Sequence, residues 1–159
     1  MTNLQTLVSS YQQRALEAPG MDLAGEERRE RWLAELSELN NFIRNTLTDA
    51  GVPEDSIQTF DISIQEDPLG PYQATGLVAR IGNAEVRFTP IGTMMIGAYG
   101  RVDVTSSNPR ARTVRLVADA SPQDGSWTWS AYPERGGSGD IPLDQEGLAV
   151  VLEMVLEGR

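Results

Sequence analysis

Six side chains in the middle of this 159-residue chain stand out for what they could hold: Arg80, Arg87, Tyr99, Arg101, Asp103 and Arg115. A guanidinium presents a planar fork of N–H donors that matches carboxylate or phosphate, so several on one surface make a platform for an acidic partner or an anionic ligand. The competing reading is a solvated face on which Glu85, Asp103 and Asp119 neutralise the arginines across strands. A second group is Met94, Tyr99, Trp127 and Trp129. Tryptophans two residues apart on a strand point the same way, which suits a pocket wall, an interface anchor or the filling between a sheet and its helix. Met94 and Met95 suit an adaptable contact or a core gap.

Candidate carboxylates for acid/base work or Mg²⁺ are Asp61, Glu66, Asp67 and Asp103, and their spacing matches no metal motif. The stretch Met94–Thr105, MMIGAYGRVDVT, carries two glycines but no G-x-G-x-x-G, no following lysine and no helix start, so it does not cradle phosphate.

The missing residue types narrow the chemistry further. There is no Cys and no His, and all 13 basic residues are Arg. Disulfides, thiolate nucleophiles, histidine bases and Schiff-base lysines are excluded. What is left is carboxylate chemistry, hydroxyl nucleophiles without a histidine, or Mg²⁺ on acids. No catalytic residue, cofactor or metal site is expected, and the chain is read as non-enzymatic.

Formal charge is −10, distributed as −8 over residues 1–67, +3 over 68–119 and −5 over 120–159. An acidic chain is a poor nucleic-acid binder because phosphate neutralisation supplies most of that affinity. No apolar run approaches the roughly 18 residues that span a bilayer, and the opening residues lack a signal peptide's basic start. A cytoplasmic setting follows, with another protein or a second copy as partner. Abundant Arg, Ala and Gly without Lys point to a GC-rich, bacterial genome.

Periodicity supplies the elements that position these residues. Leu4, Leu7, Val8, Tyr11 and Ala15 form one face of a helix that Pro19-Gly20 stops. A second helix opens near Asp22 or after Gly25 and runs to about Ala50, with the seam Trp32, Leu36, Leu39, Ile43 and Leu47. Glu27 and Arg31 make its i,i+4 pair.

After Pro53 the period becomes two, with Phe60, Ile62 and Ile64 alternating with polar residues. Gly82-Asn83 makes a hairpin turn that sets Leu77 opposite Phe88, Ala79 opposite Val86 and Arg80 opposite Glu85. Even positions from Met94 to Val104 are apolar or glycine, predicting one long strand with Tyr99, Arg101 and Asp103 facing outward. Val114, Leu116 and Ala118 face inward on the next strand, and Trp127–Tyr132 form the sixth. Leu148, Val151, Leu152, Val155 and Leu156 make the last helix amphipathic, with Asp144 as its cap.

The expected fold is α+β in a single domain, 1–159: an N-terminal helical hairpin (1–50), a mostly antiparallel meander of about six strands (56–132) and a C-terminal amphipathic helix (143–157). Small acidic α+β proteins of this kind serve as adaptors, secretion chaperones or immunity proteins, so a protein-binding module is the leading expectation. Helices, a six-stranded meander and a terminal helix also resemble helix-grip folds. That resemblance implies a small-molecule pocket between curved sheet and last helix, near Met94, Tyr99, Trp127 and Trp129.

Overall fold

The computed structural model describes residues 4–6, 8, 20–67, 69–93, 99–121, 123–133 and 140–157, with side chains of residues 20–24 left aside. Leu4, Gln5, Thr6 and Val8 are helical, with Leu4 and Val8 exposed. The rest of the expected first helix, including Pro19, lies outside the described residues, so the helical hairpin is seen only through its second arm.

That arm is α1 (Gly20–Asp49), which starts two residues before the expected opening at Asp22. Its seam at spacings of 4, 3, 4 and 4 falls on one face, and Trp32, Leu36, Leu39, Ile43 and Leu47 are each at most 3% exposed. Side chains of this size contribute about 1.5–3 kcal/mol each when fully buried. The helix stops at Gly51, whose φ of +106° lets the Val52 amide reach back to the Leu47 carbonyl at 2.9 Å and the Gly51 amide to Thr48 at 3.1 Å.

Seven strands follow in meander order, each antiparallel to the next: β1 (Ile57–Glu66), β2 (Gly70–Ile81), β3 (Ala84–Gly92), β4 (Gly100–Ser106), β5 (Val114–Ala120), β6 (Trp127–Pro133) and β7 (Ile141–Pro142). The seventh, beyond the six expected, has two residues and so carries no periodic signal. The β2–β3 hairpin has the predicted register, with Leu77 opposite Phe88, Ala79 opposite Val86 and Arg80 opposite Glu85. The even-position apolar phase holds through Gly100, Val102 and Val104, all buried, but β4 begins only at Gly100. Met94–Ala98 lie outside the described residues.

Continuous pairing sets one inner row across the sheet: Thr59, Leu77, Phe88, Val104, Val114 and Pro133. Both helices lie on this inner side. The Trp32 ring of α1 sits over Gly100. The second helix, α2 (Gln145–Glu157), is tied to the end of β4 by the Ser106 hydroxyl, which donates to the Val155 carbonyl, and by Asn108 Nδ2 to the Leu156 carbonyl at 2.8 Å. Asp144 caps α2 as predicted, its Oδ1 accepting the Gly147 amide at 2.7 Å.

The apolar phase changes side partway along the first hairpin. Ile57 and Ala79 are buried at one end, whereas Ala74, Gly76 and Glu66 are buried toward the other. The switch falls between the paired rungs Thr59–Leu77 and Phe60–Gly76. Gly76 makes this corner possible: a Cβ there would stand 2.5 Å from both the Phe60 ring and the Phe88 carbonyl oxygen. The tip of the β1–β2 hairpin thereby curls toward the N-terminal half of α1.

Candidate functional site

The face turned away from the helices carries most of the expected arginine platform. Arg80 stands opposite Glu85 in the register; Arg87 shares a row with Val78 and Thr105, Arg101 with Val117, and Asp103 with Thr89, Arg115 and Tyr132. Acids on the same face engage part of it. Arg101 forks onto Asp103 from the same strand, Nε to Oδ1 at 2.7 Å and Nη2 to Oδ2 at 3.0 Å. The Arg87 guanidinium lies 3.9 Å from Glu85 and over the Phe60 ring at 5.3 Å. The guanidiniums of Arg80 and Arg115 have no hydrogen bond or ion pair among the described residues.

Tyr99 departs from the parity prediction. It precedes β4, and its ring packs 5.9 Å from Trp127, on the helix side of the sheet. Alternation assigns a face only within a regular strand, and Tyr99 stands at its edge: its amide still donates to the Ala118 carbonyl of β5 at 2.9 Å, but the residue precedes the regular part of β4.

Trp127 and Trp129 fill the layer under α1, 6.5 and 6.2 Å from Trp32 and 6.4 Å from each other. Both remain half-buried because they also border open space. Arg28, Arg31, Glu35, Glu38 and Phe42 recur along α1 at spacings of 3, 4, 3 and 4, a second stripe beside the buried seam. Between this stripe and the β5–β6 end of the sheet runs a trough made of two adjoining clefts.

One cleft, about 680 Å³, is lined by Glu38, Leu39, Phe42, Trp127, Trp129 and Leu143. The other, about 650 Å³, lies among Arg28, Tyr99, Ser121 and Gly125. Arg31 and Trp127 border both. Fourteen helical steps from Arg28 to Phe42 make the trough about 21 Å long.

Arg31 is the hinge between the clefts. Its guanidinium lies over Trp127 at 5.6 Å, donates from Nη2 to the Gly125 carbonyl at 2.7 Å and pairs through Nε with Glu35 at 2.9 Å. The pairing expected from sequence, Glu27 with Arg31, gives way to Glu35, one turn further along. The Gly125 carbonyl is presented by a tight turn in which Asp124 Oδ1 accepts the Ser126 amide at 3.0 Å and its hydroxyl at 2.8 Å. Those hydrogen bonds hold the Asp124 carboxyl below its ordinary range.

The trough differs in place from the pocket expected between the curved sheet and the C-terminal helix. Leu148, Val151 and Val155 of α2 are at most 1% exposed against the inner face. Of the four residues expected around a ligand, Tyr99, Trp127 and Trp129 meet at α1, and Met94 lies outside the described residues.

A polar cluster closes the Arg28 end around Glu66, which the sequence offered only as a candidate carboxylate, without its partners Tyr72 and Thr93. Glu66 is 7% exposed, and its carboxylate accepts the Thr93 amide at 2.7 Å, the Thr93 hydroxyl at 3.0 Å and the Tyr72 hydroxyl at 2.6 Å. Arg28 and Arg29 of α1 reach over it to the carbonyls of Thr93 and Leu69, at 2.9 and 3.2 Å. Burial pushes the Tyr72 phenol well above its ordinary value, Glu66 adds to the effect, and Trp32 and Arg28 oppose it more weakly. The Trp32 indole N–H is buried and faces the Tyr72 oxygen closely enough to favour its charged form weakly, yet among the described residues it completes no hydrogen bond of normal geometry. One signal was present in the sequence: Glu66 continues the even phase of Phe60, Ile62 and Ile64, which places it among half-buried neighbours.

Among the described residues no group of three or more potential ligands could hold a metal, and no helix is long and apolar enough to cross a membrane. In comparisons with known proteins, no family model, curated protein or solved structure matches the chain.

Proposed function

We propose that this chain is a non-enzymatic protein-binding module, an adaptor, chaperone or immunity-type protein of the bacterial cytoplasm, that receives an apolar segment of a partner in the trough beside α1. The observation that carries the reading is the pair Trp127 and Trp129, half-buried along a trough about 21 Å long and edged by a charged helical stripe. Rigid indole rings under a polar rim have the character of interface hot spots. Two wide, open clefts end to end suit a chain segment better than a compact ligand, which an enclosed cavity would surround.

Charge selects among segments. Beside the Arg31–Glu35 pair, Glu38 edges the apolar half of the trough, in a chain of net charge −10. An apolar segment flanked by Lys or Arg is therefore steered in, and an acid-flanked one is repelled.

The test is tryptophan emission titrated with two synthetic peptides that share one apolar stripe, one flanked by lysines and the other by glutamates. The lysine-flanked peptide should bind about tenfold more tightly, and Trp129→Ala should abolish its effect. No response to either peptide, or equal binding of both, would refute the reading.

A small-molecule site is the second reading, favoured by the Tyr99–Trp127 ring pair beside Arg28 and Arg31. The dye ANS, an aromatic sulfonate anion, tests it: binding that Tyr99→Ala and Arg28→Ala both abolish would favour this reading.

A further inference from the structure

The sheet face away from the helices carries charge unlike the rest of the chain. Arg80, Arg87, Arg101 and Arg115 stand there with Glu85, Asp103 and Asp119, near balance within a protein of net charge −10. A second copy approaching this face meets less like-charge repulsion than the net charge of −10 imposes on the molecule as a whole.

β5 adds geometry to the charge. Arg115, Val117 and Asp119 occupy alternate positions of one strand, so they share this face, with the two charges about 13 Å apart and Val117 midway between them. The Arg115 guanidinium has no hydrogen bond or ion pair among the described residues. Asp119 is exposed and accepts one bond, from the adjacent Ala120 amide at 2.9 Å. A plus–apolar–minus row of this kind is complementary to itself when rotated by half a turn about its centre.

We propose that the chain forms a two-fold dimer through this face, with the axis beside Val117, so that each Arg115 meets the Asp119 of the other copy. The contact is isologous and closes at two subunits, whereas docking the arginines on the acidic helix α1 would leave both surfaces open and propagate. Face-to-face sheets pack about 10 Å apart, a layer that Val117 and the ring of Tyr132, itself 41% exposed, supply in part. This surface lies across the sheet from the trough, so dimerisation leaves the trough open.

Sedimentation velocity over a wide concentration range tests the proposal by charge exchange. The wild-type chain should sediment as a dimer. Arg115→Glu and Asp119→Arg should each weaken it by about tenfold or more, because like charges then face each other. The double variant R115E/D119R should return to within about threefold of wild type. Far-UV circular dichroism of each variant establishes that it is folded. A wild-type monomer throughout, single variants that dimerise as well as wild type, or a double variant no tighter than the singles would each overturn the proposal.

Discussion

The Tyr72 hydroxyl donates to Glu66 Oε2 at 2.6 Å and so ties the two strands of the first hairpin together beneath α1. The same carboxylate holds the amide and hydroxyl of Thr93, where the chain leaves β3. Glu66 is thus the junction between the hairpin tip and the Arg28 end of the trough.

Removing the phenol in Tyr72→Phe takes one donor from a buried carboxylate, which should cost about 1–3 kcal/mol in urea unfolding. The alkaline limb carries a second signature. A phenol pKa raised above its ordinary 10.0 adds stability that is full below that pH and is lost as pH rises toward the folded value. Wild type should therefore lose stability above about pH 10 more steeply than Tyr72→Phe. Parallel curves would show that the phenol is not held in its neutral form.

Gly100 lets α1 approach the sheet closely. A Cβ at this position would stand 2.4 Å from the Trp32 ring, which is 0% exposed and has nowhere to move. Gly100→Ala should destabilise by about 1–3 kcal/mol through overpacking, and the displaced ring should change tryptophan emission. Unchanged stability and emission would mean that the helix sits further from the sheet.

Asp124 shapes the turn that presents the Gly125 carbonyl to Arg31. Its lowered carboxyl pKa makes its contribution present above the ordinary 3.8 and lost as pH falls through the lower, folded value. The melting-temperature gap between wild type and Asp124→Ala should hold from neutral pH down to about 4 and close below that. A gap independent of pH would show that the carboxylate charge plays no part.

Elements whose cause is local were legible in the sequence. The β2–β3 hairpin has its predicted register because Gly82-Asn83 and the apolar pairs agree. The α1 seam, the inward phase of β5 and the Asp144 cap follow from spacing alone. What escaped depends on how elements meet. Tyr99 left the face that alternation assigned because it precedes the regular part of β4, where one bond to Ala118 holds the backbone and the ring turns to Trp127. The corner at Gly76 reversed the apolar phase of the first hairpin, which no period-two count reveals. The trough arises because Arg28, Arg31, Glu35, Glu38 and Phe42, an unremarked second stripe, come to lie opposite Trp127 and Trp129.

The most direct measurement is a ¹⁵N spectrum of the protein titrated with the lysine-flanked apolar peptide, its indole signals assigned by Trp→Phe variants. Docking in the trough should shift the indole signals of Trp127 and Trp129 and leave the backbone amides of Arg80 and Arg87 in place. Shifts confined to Arg80, Arg87 and Tyr132 on the opposite face, or no shifts at all, would contradict docking beside α1.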